Sequence, residues 1–501
     1  MLVAPALLGV LFACAGPAQG AATVEHVDRA GGLLVGFSGH DGAAGVAGRH
    51  IAPGLELVGE APRSASRLRG RPSVRFVEHN HTYRASSLPN DRLFARQWPL
   101  ARPDGIAAVG AWWTSLGASA TIAVLDSGVD LAHPDLAPNL WTNPREVPGN
   151  AIDDDLNGFV DDVHGADVIR TTGDPTDHLG HGTAMSGVAA ARGGNGIGTT
   201  GVAPSARIMA VKVLDDRGVG STDTLVSGIG YATAQGADVI NLSVNGHERS
   251  IALDEAITAA EAAGIVVVAS AGNDGANRDQ VPSYPASSTA GGVIAVGASV
   301  EDHGLAHFSG WGPGTVDLAA PGEDVLTTAK GGGYAPNSGT SPAAAHVSGA
   351  VALLAAARPD ASPAQLRAAI LGGTHPLRFD ASMVARGELD ATRAMRLLVP
   401  GSGPQVKVVM QRMVRSPEHS VTLSWRVRGA ADAVASYRLQ VGGRRFGLSS
   451  AAGRAPEQRR TLRLRPGRYR WTVLAFDASG RRLASHTSRL RVTPPRREGS
   501  R

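Results

Sequence analysis

The octapeptide Thr121-Ile122-Ala123-Val124-Leu125-Asp126-Ser127-Gly128 sets the reading of this chain. A short, mostly apolar and β-branched run ends in an acid and a glycine, the pattern of a buried strand that stops at a turn. Ile208 to Val213, Val239 to Leu242, Ile265 to Ala269 and Val293 to Val296 repeat that pattern. Between them, Thr224 to Gln235, Leu253 to Ala263 and the stretch starting at Ser341 are Ala-rich with helical periodicity. Strands that alternate with such helices predict an α/β unit, a parallel sheet covered by helices on both faces. Functional residues of such sheets gather beyond the carboxyl ends of the strands. Asp126 stands at one such end, and Asn273 lies a few residues past another.

Two further segments, His181-Gly182-Thr183 and Gly339-Thr340-Ser341, complete a set of Asp, His and Ser in that chain order. A serine hydroxyl is a poor nucleophile at neutral pH, so hydrolysis needs an imidazole to take its proton and a carboxylate to orient that imidazole. Isolated tripeptides arise by chance, but here each has a context. Asp126 is followed by Gly128, Asp130 and His133-Pro134-Asp135-Leu136. His178-Leu179-Gly180 leads into His181, and Ser341 sits in Ser338-Gly339-Thr340-Ser341-Pro342-Ala343-Ala344-Ala345-His346-Val347-Ser348-Gly349. His178 is the one nearby competitor for the imidazole role. On these residues the chain resembles the subtilisin-like serine peptidases, in their thermitase-like branch.

That resemblance implies a subtilisin-like fold and a secreted serine endopeptidase working through an acyl-enzyme. Asp126 would hold the imidazole, His181 would act as base and then acid, and Ser341 would attack the substrate carbonyl. Ala271-Gly272-Asn273-Asp274-Gly275 resembles the oxyanion segment, with Asn273 and the Ser341 backbone N–H as donors. Ser243, Val244, Asn245, Gly246 and Gly272 are the implied substrate-binding residues, with Tyr284-Pro285-Ala286 as the other flank of the pocket. Several positions depart from the family pattern. Ala184 and Met185 stand where a second His and a small apolar residue are common, Pro342 replaces Met, Ala345 replaces Pro, and Asn245 replaces Gly. Proline in the first turn of a helix costs nothing, because the missing N–H has no helical partner there. Asn245 alters the pocket, so cleavage specificity does not carry over. Calcium is common in the family, and Asp91, Asp135 and Asn195 match one of its sites. A second candidate is the run Asp153-Asp154-Asp155, Asn157, Gly158, Asp161 and Asp162, which has calcium-loop spacing without the EF-hand glutamate.

Around this unit the 501 residues divide by composition. Residues 1–22 read as a signal peptide, since Leu2 to Ala15 is apolar but too short to span a bilayer; against this, the usual basic n-region is missing, because no Lys or Arg precedes Arg29. Cys14, the only cysteine, leaves the mature chain without an internal disulfide. Leu11-Phe12-Ala13-Cys14 loosely resembles a lipoprotein processing site, and membrane attachment is expected only if Cys14 carries lipid. Residues 23–88, with strand-like Gly32 to Phe37 and Val74 to Val77, resemble a small α+β propeptide that acts as inhibitor and chaperone. Cleavage is expected between Tyr83 and Pro89, which opens the catalytic unit at 89–399. Beyond the Pro400 to Pro404 linker, 405–494 alternates apolar and polar residues at Val421 to Trp425, Tyr437 to Val441, Thr461 to Leu464 and Tyr469 to Ala475, as in a fibronectin-type or immunoglobulin-like β-sandwich.

From Gly401 onward 22 basic residues face five acidic ones, a net +17, so the first 400 residues carry −13 of the total +4. Because these arginines alternate with apolar residues instead of forming a run, they read as a solvated sheet face and imply no specific nucleic acid partner. No His-Glu-x-x-His motif and no phosphate-binding Gly-rich loop with Lys occurs, which removes two enzyme classes. The expected partners are protein substrates and the chain's own propeptide, and a monomer is expected. The rival reading is a surface-binding protein that uses the basic sandwich and keeps the peptidase fold as scaffold.

Overall fold

The computed structural model describes residues 29–37, 48–52, 55–58, 68, 71, 73–81, 89–102, 104–378, 382–400, 406–415, 420–429, 434, 436–449, 458–476 and 482–492. They fall into two units, Met1–Ala85 and Ser86–Arg501.

The first unit is an antiparallel sheet of β1 (Arg29–Phe37), β2 (Gly48–Ala52), β3 (Leu55–Val58) and β4 (Val74–His81), in the order β2-β3-β1-β4. Leu33, Val35 and Phe37 alternate onto one face of β1 and bury there with Leu68 and Val77. Both strands expected from the sequence form, and Val35 pairs with Val77 across them. β2 and β3 were not expected, because their stretch is rich in Gly, Pro and Arg. The stretches where the helix of the expected α+β unit and the expected cleavage would fall lie outside the described residues, apart from Leu68 and the final Pro89.

The second unit is built on a nine-stranded sheet. Its strands are β5 (Thr121–Asp126), β6 (Gly165–Asp167), β7 (Arg207–Lys212), β8 (Val239–Leu242), β9 (Val266–Ser270), β10 (Ile294–Ser299) and β11 (Leu318–Pro321). A separate hairpin, β12 (Val325–Ala329) with β13 (Gly333–Asn337), precedes the last two, β14 (Thr374–His375) and β15 (Glu388–Leu389). The order is β14-β15-β11-β10-β9-β8-β5-β7-β6. Every pair is parallel except β14 with β15, which adds one antiparallel edge strand to the parallel sheet expected. The chain moves from β5 out to the edge strand β6, comes back through β7 beside β5, and crosses to β8 on the other side of β5. That reversal opens a crevice beyond the carboxyl ends of β5 and β8.

Six longer helices accompany this sheet: α1 (His181–Ala190), α2 (Thr222–Ala234), α3 (Ile251–Ala262), α4 (Thr340–Ala357), α5 (Pro363–Gly372) and α6 (Ala391–Leu398). Two large apolar cores result, one containing α1, α4, α5 and α6, the other α2 and α3. α4 is buried from Thr340 to Ala355, which explains why it is apolar on every side. Its length and hydropathy would suit a membrane span, but in this chain it is a core helix.

Among the described residues, seven strands follow: β16 (Val406–Arg415), β17 (Ser420–Gly429), β18 (Ser436–Val441), β19 (Arg444–Ser449), β20 (Gln458–Arg463), β21 (Gly467–Phe476) and β22 (Arg482–Val492). They form two antiparallel sheets, β16-β17-β20 and β19-β18-β21-β22, that share one core around the fully buried Trp425. Trp471, Val473 and Ala475 point inward on β21, and Arg468 and Arg470 are exposed. The period-2 pattern therefore separates arginine from core, as a solvated face requires.

Candidate active site

Asp126 is the last residue of β5 and is fully buried. His181 opens α1, and its Nδ1 lies 2.7 Å from Oδ1 and 2.9 Å from Oδ2 of Asp126. The Asp126 charge pushes the His181 pKa up from its ordinary value, against the burial that would lower it. Gly182 is needed at this junction. A Cβ there would stand 2.1 Å from the Gly128 carbonyl oxygen and 3.0 Å from the Asp126 Cβ.

The start of α1 is pinned by a residue the sequence reading did not single out. Asp177, buried, accepts the backbone N–H groups of Leu179, Gly180 and Thr183 and the hydroxyls of Ser127 and Thr183. An acid placed just before a helix start is the local signal that could have found it. Buried Lys212 donates to the Ser127 carbonyl at 2.8 Å and pairs with Asp216.

Ser341 lies in the first turn of α4, 5% exposed, and shares with His181 a cleft of about 800 Å³. Gly339 precedes that helix at φ +151°, a conformation that favours glycine, and a Cβ there would come 3.2 Å from Asn273 Nδ2. Asn273 Oδ1 accepts the Thr340 backbone N–H at 2.8 Å and the Thr340 hydroxyl at 2.9 Å. With its oxygen so engaged, its NH2 group is the end left for the cleft, which Asn273 lines. Beneath it, buried Arg278 donates Nε to the Ala271 carbonyl at 2.6 Å and pairs with Asp274. Sequence reading missed Arg278, because an arginine in a polar loop reads as solvated.

Ser243, Val244, Asn245 and Gly246 line the cleft, with Gly218, Val219 and Gly220 also on its wall. Gly246 and Tyr284 exchange both backbone hydrogen bonds, at 2.8 and 2.7 Å, which puts the two expected flanks together. Gly272 is not among the lining residues. Its N–H donates to the Thr340 hydroxyl at 3.1 Å, and a Cβ on it would meet Arg278 Nη2 at 2.5 Å. A buried polar chain supports the serine: Ser348 donates to Asn241 at 2.8 Å, Asn241 to Ser243 at 2.9 Å, and Ser243 to the Ser341 carbonyl at 3.3 Å. His178 is exposed, and His181 is the imidazole on Asp126.

An imidazole held by a buried carboxylate in a cleft shared with a serine is the pattern of a serine hydrolase, and the comparisons with known proteins identify its class. The subtilase family (Peptidase S8) profile matches residues 117–388, more than half of the chain, and the chain belongs to that family. It is 38% identical over 300 residues to the thermophilic serine proteinase of Bacillus sp. (strain AK1), spanning 60% of this chain and 67% of that protein. Thermitase of Thermoactinomyces vulgaris is 37% identical over 62% of this chain and 99% of its own length. Subtilisin E of Bacillus subtilis (strain 168) is 35% identical over 61% and 71% of the two chains. A solved structure titled as proteases from Pseudoalteromonas arctica PAMC 21717 superposes with a TM-score of 0.53 at 30% identity, covering 62% of this chain and all of that one. The protein is a serine-type endopeptidase that acts on protein substrates.

Proposed function

We propose that the chain is exported, freed of a propeptide, and cleaves proteins through an acyl-enzyme at Ser341, with Asp126, His181 and Asn273 as its machinery. The observation that carries this reading is the two-point contact of His181 Nδ1 with the Asp126 carboxylate, on a cleft that Ser341 and Asn273 share. With Nδ1–H held by Asp126, Nε2 is the nitrogen left to take the Ser341 hydroxyl proton. The tetrahedral oxygen would meet Asn273 Nδ2 and the Ser341 backbone N–H. His181 then returns its proton to the leaving amine, and water releases the acid product. Substrate would lie extended between the Gly218 to Gly220 segment and the Ser243 to Gly246 segment, adding a strand. Asn245 adds a side chain to the wall of that pocket.

Calcium fits two places. Asp91, Asp135 and Asn195 gather near the Gly194 turn: Asn195 donates to Asp135 at 2.7 Å, and Asp91 accepts Gly194 N–H at 2.8 Å. Asp91 Oδ1 is buried and has no hydrogen-bond donor, and burial pushes the Asp91 pKa up, a cost that a cation would remove. In the acidic run, Asp153 and Asp161 spend their carboxylates on nearby backbone N–H groups. The better ligand set there is Asp155 and Asp162 with Glu146, whose Oε2 is buried and unpartnered. Calcium in either place would supply charge compensation and tie down a loop. A chelator is expected to lower the unfolding temperature, and Asp91→Asn to remove part of that response; no change in either protein would sink the calcium reading.

The deciding experiment expresses the chain from Thr23 onward beside Ser341→Ala and follows propeptide loss and casein cleavage by intact mass. Both processes are expected to stop in the variant. Equal processing by both proteins would overturn self-maturation.

A further inference from the structure

We propose that His303, His375 and Glu388 form a zinc site at the edge of the central sheet, separate from the cleft. His375 on β14 and Glu388 on β15 are directly opposite partners in the antiparallel edge pair. His303 comes from the turn after β10, which is closed by its own N–H donating to the Val300 carbonyl. One ligand atom from each of the three lies within 4.8 Å of the others. Glu388 Oε2 is 2.7 Å from His303 Nδ1 and 3.6 Å from His375 Nε2, and the two rings stand edge to face.

The groups behind these atoms are arranged as metal ligands require. A ligating imidazole usually offers its second nitrogen to a carboxylate or a carbonyl, which fixes the ring and its tautomer. His303 Nε2 faces the Asp104 carboxylate at 3.5 Å, and His375 Nδ1 faces the Pro376 carbonyl at 3.5 Å. The other oxygen of Glu388 accepts the Ser299 hydroxyl at 2.5 Å. The outer oxygen of Glu388 is thus hydrogen-bonded, each outer ring nitrogen faces an oxygen at the limit of hydrogen-bond distance, and the three inner atoms converge.

A plain ion pair accounts for less. One proton between His303 and Glu388 completes that pair, but His375 Nε2 then faces the same oxygen beyond hydrogen-bond distance. With the His375 proton on Nδ1 toward Pro376, two lone pairs oppose each other beside a carboxylate that is only 3% exposed. A divalent cation among the three atoms satisfies them together. Two imidazoles and one carboxylate form a zinc donor set, whereas calcium and magnesium take oxygen ligands. Bonds of about 2.0–2.1 Å in a tetrahedral site put ligand atoms roughly 3.4 Å apart, so small side-chain movements suffice. Bound zinc would clip the turn after β10 to the β14–β15 edge, and His375, part exposed, offers the way in.

The test uses untagged, full-length Ser341→Ala protein, which cannot digest itself, in saturating calcium. Zinc is titrated against a chromophoric chelator, and cobalt absorption reports the ligand geometry. The parent is expected to hold one zinc through this site and to unfold at a higher temperature with zinc present. His375→Ala and Glu388→Gln should each weaken that zinc by about tenfold to a hundredfold or more and remove the thermal gain. His375→Gln is the second variant should His375→Ala not fold, with zinc-free circular dichroism as the check. Unchanged zinc affinity in the folded variants, or no zinc held by the parent, overturns the proposal.

Discussion

Among the described residues, two part-exposed imidazoles lean on buried carboxylates at the same distance, His181 on Asp126 and His303 on Glu388, each at 2.7 Å. The first stands at the carboxyl end of β5, where the sheet reverses its winding, beside a serine on a helix start and an asparagine with a free amide end. The second stands at the sheet edge, faced by another imidazole. Both carboxylates push their histidine's pKa up. The difference teaches that the pair alone sets no function. Its neighbours distinguish an imidazole that shares a cleft with a serine from one that ties the turn after β10 to the sheet edge.

The largest way to break the comparison is Asp126→Asn. In the first pair it should cut turnover by about 10,000-fold, the scale known for the wrong imidazole tautomer in another serine peptidase. Because Asp126 raises the His181 pKa, the acid limb of kcat/KM in the parent should lie above the ordinary imidazole value of about 6.5. A parent profile with its limb below that value would contradict the assigned pair.

Next is Asn273→Ala, expected to lower kcat by about 100- to 1000-fold with little change in KM, a range taken from subtilisin itself. A loss confined to KM would mean that Asn273 binds the ground state instead.

A third prediction separates histidines by the sign of their linkage to folding. His346, wholly buried in α4, has its pKa pushed down to about 4 by desolvation. The unfolded chain binds that proton first, so stability should be lost as pH falls from 6.5 toward about 4. His303 carries the opposite sign. Its raised folded pKa gives stability that is complete below 6.5 and lost as pH rises through the folded value. Unfolding temperatures of His346→Asn and His303→Gln against pH should flatten the acid and the upper slope respectively.

The smallest effect is Glu388→Gln without zinc. It should lower the unfolding temperature by roughly 2–4 °C, the scale of 1 kcal/mol in a domain of this size. A loss several times larger would mean that the edge cluster holds up the sheet even without metal.

Strand ends and helix starts were legible because they are local. β5, β8 and α4 announce themselves by β-branched runs, alanine periodicity and the glycine that must precede Ser341. Asp126, His181, Ser341 and Asn273 are readable for the same reason, each inside a short segment whose neighbours constrain it. Gly272 was assigned to the pocket from its segment, and only the packing of Arg278 and Thr340 against it shows why glycine stands there. The sequence by itself thus determined an α/β subtilase body with a β-rich tail, since periodicity and turn chemistry act over a few residues. Tertiary structure alone decided that Asn241 and Ser348 brace the helix that carries Ser341, that Glu146 joins the acidic run, and that His303 and His375 meet Glu388. Those partners lie far apart along the chain, and only the order of strands in the sheet brings them within reach of one another.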